Sequence, residues 1–193
     1  MRRALIVHAS RHGGTAGIAE RIAEVLRSAE VDVTVAAAAD RPNPSDFDAY
    51  LVGSGVYMGS WLKEGIEFLE ENAGMLRTRP TWLFSSGPLP GSTKEQPTED
   101  DPYGGALGPA DGPGSGGRKK IEALAELIGV REHRIFQGAF DPKEPPKALS
   151  ERLARMMPAV KDILPAGDFR EWDVIDAWAH DVAREIAGKV AVG

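Results

Sequence analysis

The chain has 193 residues, 42% hydrophobic and 27% charged, enough for one globular domain with a full hydrophobic core. Its net charge of −6 argues against nucleic acids and anionic membrane surfaces as partners, since both bind basic faces. The chain contains no cysteine, which excludes disulfides and thiolate chemistry, and its four histidines lack metal-ligand spacing, so no metal site is expected.

The first apolar run, Ala4–Val7, is too short for a signal peptide and predicts a strand. No apolar run reaches the roughly 18 residues of a membrane span. We therefore expect a cytoplasmic protein with at most peripheral membrane contact.

Strand-like runs alternate with helical patterns along the chain. Strands are predicted at 2–10, 31–38, 48–55, 80–87 and 133–141. The first helix follows the first strand, and its apolar side consists of Ile18, Ala19, Ile22, Val25 and Leu26. Further helices are predicted at 62–76, at 118–129 with a left-handed cap at Gly129, and at 171–189 with Asp173 as a candidate N-cap.

Two segments interrupt this alternation. Residues 91–117 hold 12 glycines and prolines, a composition that predicts a flexible loop. Residues 142–170 open rich in proline and contain a helical piece, so they form an inserted segment. The five strands and intervening helices predict one α/β domain over 1–193, a three-layer sandwich with a five-stranded parallel sheet and helices on both faces.

Ligands of such sheets bind at the carboxyl ends of the strands. The loop after the first strand supplies small, polar and basic residues, namely Ser10, Arg11, His12, Gly13, Gly14 and Thr15. Glycine lets the backbone approach an anion, and hydroxyls and helix N–H groups donate to phosphate oxygens. The alternative is an ordinary helix cap, with the two basic side chains merely solvated.

Other phosphate motifs do not occur. The sequence has no GxxxxGK[ST], and Gly13, Gly14 and Gly17 do not spell GxGxxG. No acidic residue closes the second strand as a dinucleotide ribose would require, because Asp40 lies beyond it. The pattern therefore favours a terminal monophosphate over NAD.

The loops after the third and fourth strands are also built from small residues. Their candidate cofactor contacts are Ser54, Gly55, Val56, Tyr57 and Gly59 in the first, and Ser85, Ser86 and Gly87 in the second. Small residues admit the edge of a planar ring, and an aromatic can stack on its face. Tyr57 could instead be a rim residue, Trp61 a packing residue, and 85–87 a plain turn. A flat, phosphate-bearing heterocycle such as FMN fits all three loops.

These stretches resemble a known family. "SRHGGT", "DFDAYLVGSGVYMGSW" and "TWLFSSGPL" are similar to the phosphate loop and the two flavin loops of flavodoxin-like FMN proteins. Within that family, "SGVYMGSW" and the ending "REWDVIDAWAHDVAREIAG" resemble the menaquinone-dependent protoporphyrinogen dehydrogenase branch. The resemblance implies a flavodoxin-like sandwich with FMN as cofactor.

The leading hypothesis is an FMN-dependent oxidoreductase. It would move two electrons from a small organic donor, with a porphyrinogen as one candidate, to a quinone or redox-protein acceptor. The alternatives are an electron carrier without a substrate of its own and a scaffold without flavin. No catalytic residue is assigned, since the isoalloxazine ring itself accepts and releases electrons, and homodimer formation stays open.

Overall fold

The computed structural model describes residues 1–57, 59–87, 107, 115–140 and 167–188. Most of the predicted loop 91–117 and of the inserted segment 142–170 lies outside these residues. The strands are β1 (Arg3–Ala9), β2 (Asp32–Ala37), β3 (Ala49–Tyr57), β4 (Ser60–Trp61), β5 (Thr81–Ser86), β6 (Glu132–Phe136), β7 (Ala139–Phe140) and β8 (Gly167–Asp168). The helices are α1 (Gly14–Ser28), α2 (Lys63–Leu76), α3 (Gly116–Ile128) and α4 (Trp172–Ile186), and a 3-10 turn spans Ala38–Asp40.

Five parallel strands form the main sheet in the order β2-β1-β3-β5-β6. The order reverses direction between β1 and β3, which is the switch point where doubly wound sheets open a crevice for a ligand. The predicted fold class is confirmed, with a five-stranded parallel sheet and helices on both faces.

Both faces of the sheet are apolar, because helices cover each of them. Along β1, Ala4 and Ile6 face one core, and Leu5 and Val7 face the other. The first core is completed by α1 and α4, with Ile18, Ile22, Leu26, Trp178 and Val182 among its buried side chains. The second is completed by α2 and α3, with Phe68, Leu69, Leu76, Ile121 and Ile128.

One predicted strand end is wrong, and one short strand was not predicted. The predicted strand 133–141 ends as β6 at Phe136, and residues 139–140 form β7, which pairs with β8 instead of the main sheet. The pairing of β5 with β6 runs to Phe136, whose carbonyl accepts from the Gly87 N–H at 3.0 Å, and residues 137 and 138 then leave the strand. The short strand β4, antiparallel to the end of β3, was not predicted.

The start of the last helix also differs from the prediction. Asp173 lies inside the first turn of α4, and Glu171 is the N-cap, with no side-chain capping bond. The amides of Val174 and Ile175 donate to the Glu171 carbonyl, so the helical ladder begins two residues before the expected cap. The left-handed cap of α3 is confirmed, since Gly129 has a φ of 73°.

Leu107 is fully buried in the second core, although it lies in the middle of the segment predicted as a loop. A composition rich in glycine and proline gave no sign of this anchor. Among the described residues, no helix is long and apolar enough to span a bilayer.

Candidate cofactor site

Three loops meet at the carboxyl edge of the sheet beside the switch point. A Cβ added to Gly14 would lie 3.9 Å from the Ala139 nitrogen and 4.0 Å from Ser86 Oγ. A Cβ added to Gly55 would lie 3.3 Å from Thr15 Oγ1 and 3.2 Å from the Tyr57 ring. The loops after β1, β3 and β5, which the sequence predicted to share a ligand, are therefore close neighbours.

The loop after β1 ends in an open helix N-terminus. Gly13 caps α1 with a φ of +78°, a left-handed conformation that glycine adopts without strain. The cap makes no side-chain hydrogen bond, and the first turn carries no acidic residue. The ladder starts with Gly17 N–H donating to the Gly13 carbonyl at 2.8 Å, so the three preceding amides lie ahead of it. Such an end attracts anions, and it is not the side-chain-capped helix of the alternative interpretation.

Ser10 supplies the clearest sign of a ligand. Its Oγ is buried and has no hydrogen-bond partner among the described residues. A buried hydroxyl without a partner is costly, so such a group is normally paired in the working protein. Thr15, at the start of the helix, is 3% exposed and faces the Gly55 backbone. These groups and the open amides fit a phosphate.

Arg11 and His12 are half-buried and not simply solvated. The Arg11 guanidinium lies over the Tyr57 ring, 4.5 Å from its centroid. This stack connects the loop after β1 to the loop after β3 and places positive charge beside the α1 N-terminus. Tyr57 itself is half-buried next to Gly55.

Ser54 and Ser85 are fully buried, and their hydroxyls are used inside the protein. Ser54 Oγ accepts from the Leu62 amide at 3.0 Å and donates to the Gly55 carbonyl at 2.9 Å. Ser85 Oγ accepts from Trp61 Nε1 at 2.8 Å and lies 2.8 Å from His133 Nε2. These two hydroxyls hold the loop after β3 in place, and any cofactor contact at these positions falls to the backbone.

His133 is a residue that the sequence did not single out. Its ring stands edge-on to Trp61, with ring centroids 5.6 Å apart. Burial lowers the pKa of His133 from 6.5 to about 3, so the ring is neutral at ordinary pH. Sequence reasoning missed it because the register between β5 and β6, which sets Ser85 beside this strand, is invisible in a single sequence.

The remaining predicted contacts line the same edge. Ser86 is 8% exposed, and its Oγ faces the positions where Gly14 and Gly138 would carry a Cβ. Gly59 and Gly87 have φ angles of 74° and 104°, so both loops turn through conformations that favour glycine. Val56 is half-buried beside the short strand β4.

His8 lies in β1 and borders a cavity of about 370 Å³, next to Ser10, Arg11 and Glu64. Burial lowers the pKa of His8, and its Nδ1 has no hydrogen-bond partner within the described ranges. Among the described side chains, no group of three or more His, Asp or Glu is placed to hold a metal ion.

Arg170 is a second residue that sequence reasoning missed. It belongs to the inserted segment, yet its Nη1 donates to the carbonyl of Gly14 at 3.4 Å, directly at the start of α1. The pairing of β7 with β8 brings it there, and nothing in the sequence indicates that these two short stretches pair.

Comparisons with known proteins agree with this geometry. A family model described as a flavodoxin domain matches residues 5–140. Similar solved structures include a flavodoxin from the domain Archaea, with TM-score 0.56 and 16% identity over 96% of this chain and 99% of that chain. Flavodoxin 1 from Bacillus cereus aligns with TM-score 0.53 and 15% identity over 98% of this chain and 99% of its own.

Rubredoxin oxygen:oxidoreductase from Desulfovibrio gigas also aligns, with TM-score 0.56 and 14% identity. It is matched over all of this chain, which spans 38% of that protein's length. At such identities the solved structures establish the fold. None of the curated proteins matches the chain.

Proposed function

Because the chain belongs to the flavodoxin domain family, we propose that it is an FMN-dependent oxidoreductase that takes two electrons from an organic donor. Flavodoxin-like sheets hold FMN at the β1/β3 switch point, so FMN is the cofactor, as the sequence predicted. Bound FMN supplies the redox chemistry, since its isoalloxazine ring accepts and releases hydride or single electrons.

The loop 10–15 would hold the FMN phosphate. The observation that carries this assignment is the buried Ser10 Oγ, which has no hydrogen-bond partner within the described part of the chain and lies beside a helix N-terminus without a side-chain cap there. Thr15 and the amides of Gly13 and Gly14 would complete the phosphate contacts. Arg11 and His12 would add positive charge, and the loops 54–59 and 85–87 would border the ring.

An enzyme needs a substrate pocket, and two features of the site support one. The ribbon of β7 and β8 stands beside the start of α1, where Ala139 faces Gly14. The Arg11–Tyr57 stack adds a polarised aromatic face at the same edge. A porphyrinogen is the donor we favour, from the resemblance of "SGVYMGSW" and the final helix to the protoporphyrinogen dehydrogenase branch. The acceptor would be a quinone or a redox protein.

The second candidate function is an electron carrier without its own substrate. The net charge of −6 supports it, because an acidic surface helps docking to basic redox partners. The archaeal and Bacillus cereus structures, both flavodoxins, are matched over nearly their full length. With either candidate function, we expect this protein to work in the cytoplasm.

The first experiment is the visible absorption spectrum of the purified protein with FMN added and the excess removed. A retained two-band flavin spectrum is expected. Anaerobic titration with a reductant then separates the candidates, because a carrier takes up electrons in two resolved single steps and the enzyme takes them up as a pair. Turnover of a porphyrinogen with a quinone acceptor would support the enzyme, and its absence together with single-electron steps would leave the carrier.

A further inference from the structure

Arg170 lies beyond the part of the chain that matches the flavodoxin domain model, which ends at residue 140. It is carried to the site by the ribbon of β7 and β8, and the amide of the adjacent Phe169 donates to the Gly138 carbonyl at 3.1 Å. The short strap of residues 167–172 therefore crosses the edge of the sheet beside the start of α1.

The Arg170 side chain is held in one orientation by two contacts within its own segment. Its Nε and Nη2 donate to the two carboxylate oxygens of Asp168 at 2.8 and 2.6 Å, a bidentate pair. Its guanidinium lies 4.5 Å from the centre of the Trp172 ring. Only 17% of the side chain is exposed, unlike an ordinary surface arginine.

The same guanidinium rests against the first turns of α1. Its Nη1 donates to the Gly14 carbonyl at 3.4 Å. A Cβ added to Gly17 would lie 2.5 Å from that nitrogen, so the glycine at 17 provides the space that the guanidinium fills. Arg170 thus contacts the backbone of Gly14, the first residue of α1.

We propose that Arg170 is a positioning residue for the cofactor phosphate. It fixes the Gly14 peptide at the start of α1, and so holds the amides ahead of the helical ladder in the direction the phosphate needs. It also places a positive charge beside this anion site, although Asp168 offsets part of that charge. The inference rests on the proposed assignment of the phosphate to loop 10–15, and it makes Arg170 a determinant of the preference for FMN over riboflavin, which lacks the phosphate.

The test measures the dissociation constants of FMN and riboflavin, by quenching of flavin fluorescence, for the native chain and four variants. Arg170→Gln removes the charge and the planar guanidinium. We expect it to raise the Kd of FMN about tenfold, because the charge-assisted contact with the Gly14 carbonyl is lost. The Kd of riboflavin should change less than about twofold, since its binding does not use the phosphate amides. Arg170→Lys keeps the charge but lacks the planar guanidinium, so its Kd of FMN should lie between those of the native chain and Arg170→Gln.

Gly17→Ala is a second and independent variant. Its methyl group occupies the place of the guanidinium and should displace Arg170, giving the same selective loss of FMN affinity. Alanine favours a helix more than glycine does, so this loss would not come from an unfolded α1.

The matched control is Arg21→Gln. Arg21 also joins α1 to the C-terminal segment through a bidentate pair with a carboxylate, Asp176, at 2.7 and 2.6 Å. It lies two turns from the helix start, and its removal should leave the FMN-to-riboflavin ratio unchanged.

Two results would overturn the positioning role and leave a merely structural one. The first is an equal loss of affinity for FMN and for riboflavin in Arg170→Gln. The second is a preference for FMN over riboflavin that Arg21→Gln lowers as much as Arg170→Gln does. A native chain that binds FMN no better than riboflavin would overturn the phosphate assignment and the inference together. A native preference for FMN that Arg170→Gln and Gly17→Ala both leave intact would overturn the inference alone.

Discussion

Ser10 and Ser85 are both small hydroxyl residues at the carboxyl edge of the sheet, and both belong to the sequence-predicted site. Their hydroxyls differ in what they contact. Ser85 Oγ is shared between Trp61 and His133 at 2.8 Å each. Ser10 Oγ is equally hidden from solvent and has no hydrogen-bond partner among the described residues.

The difference separates two kinds of region at one edge. The cluster of Trp61, Ser85 and His133, which we term the indole cluster, gives the Ser85 hydroxyl two partners inside the protein and fixes the loop after β3. The loop 10–15 leaves a hydroxyl and several helix amides for something else to bond. A cofactor site needs both kinds of region. Breaking the rigid support lowers the stability of the fold, and removing a group that contacts the ligand lowers the affinity for the ligand.

Trp61→Ala should give the largest effect on the support. Trp61 is 3% exposed, so truncation leaves a cavity under the loop and takes from Ser85 Oγ the hydrogen bond that the indole N–H donates. We expect the free energy of unfolding of the flavin-free protein to fall by about 3–5 kcal/mol. Urea unfolding followed by far-UV circular dichroism measures it, with exposed Trp172→Ala as the matched control, and an equal loss in both variants would contradict a special role for Trp61.

Ser10→Ala should act on the cofactor and not on the fold. A hydroxyl that donates to a charged phosphate oxygen contributes about 1.5–3 kcal/mol, so FMN binding should weaken by at least tenfold. The free energy of unfolding without flavin should change by less than about 0.5 kcal/mol, because the hydroxyl has no partner among the described residues. Flavin fluorescence titration and urea unfolding measure the two quantities, and a loss of stability without a loss of affinity would reverse the assignment.

Ser85→Ala should give the opposite result. It leaves the buried Trp61 N–H without its acceptor, and the free energy of unfolding should fall by about 1–3 kcal/mol. FMN affinity should change much less than in Ser10→Ala when both are measured under conditions where the proteins are folded. If the affinity loss in Ser85→Ala matched that of Ser10→Ala, the Ser85 hydroxyl would have to leave the indole cluster to contact the cofactor.

Much of the fold follows from the sequence because long apolar patterns repeat in it. The apolar side of α1, for example, is buried as its spacing predicted, from Ile18 to Leu26. The strand β4 has two residues, too few to show a period, and β7 pairs with a segment 27 or more residues away in the chain.

The site divides in the same way. Residue type alone led to the prediction of a phosphate at the loop 10–15, because glycine, serine and threonine before a helix suit a phosphate. It could not separate Ser10 from Ser85, since that distinction depends on which strand lies opposite and on the direction of each side chain. Arg170 was missed for the related reason that its position depends on a long-range pairing.

The smallest expected effect is a pH dependence of the indole cluster. The pKa of His133 is about 3 in the folded protein, against 6.5 for a free histidine. The unfolded chain therefore binds a proton below pH 6.5 that the folded chain does not, so stability is complete above pH 6.5 and falls as the pH drops toward 3. His8, whose pKa burial also lowers, contributes a loss in the same direction.

Comparison of the native chain with His133→Gln isolates the cluster, because glutamine can bond Ser85 without titrating. Urea unfolding at pH 7.5 and pH 5.5 should show the native chain losing about 1 kcal/mol more than the variant. Equal losses would mean that His133 becomes protonated in the folded state, and the cluster would then be open to water, unlike the closed support that distinguishes it from loop 10–15.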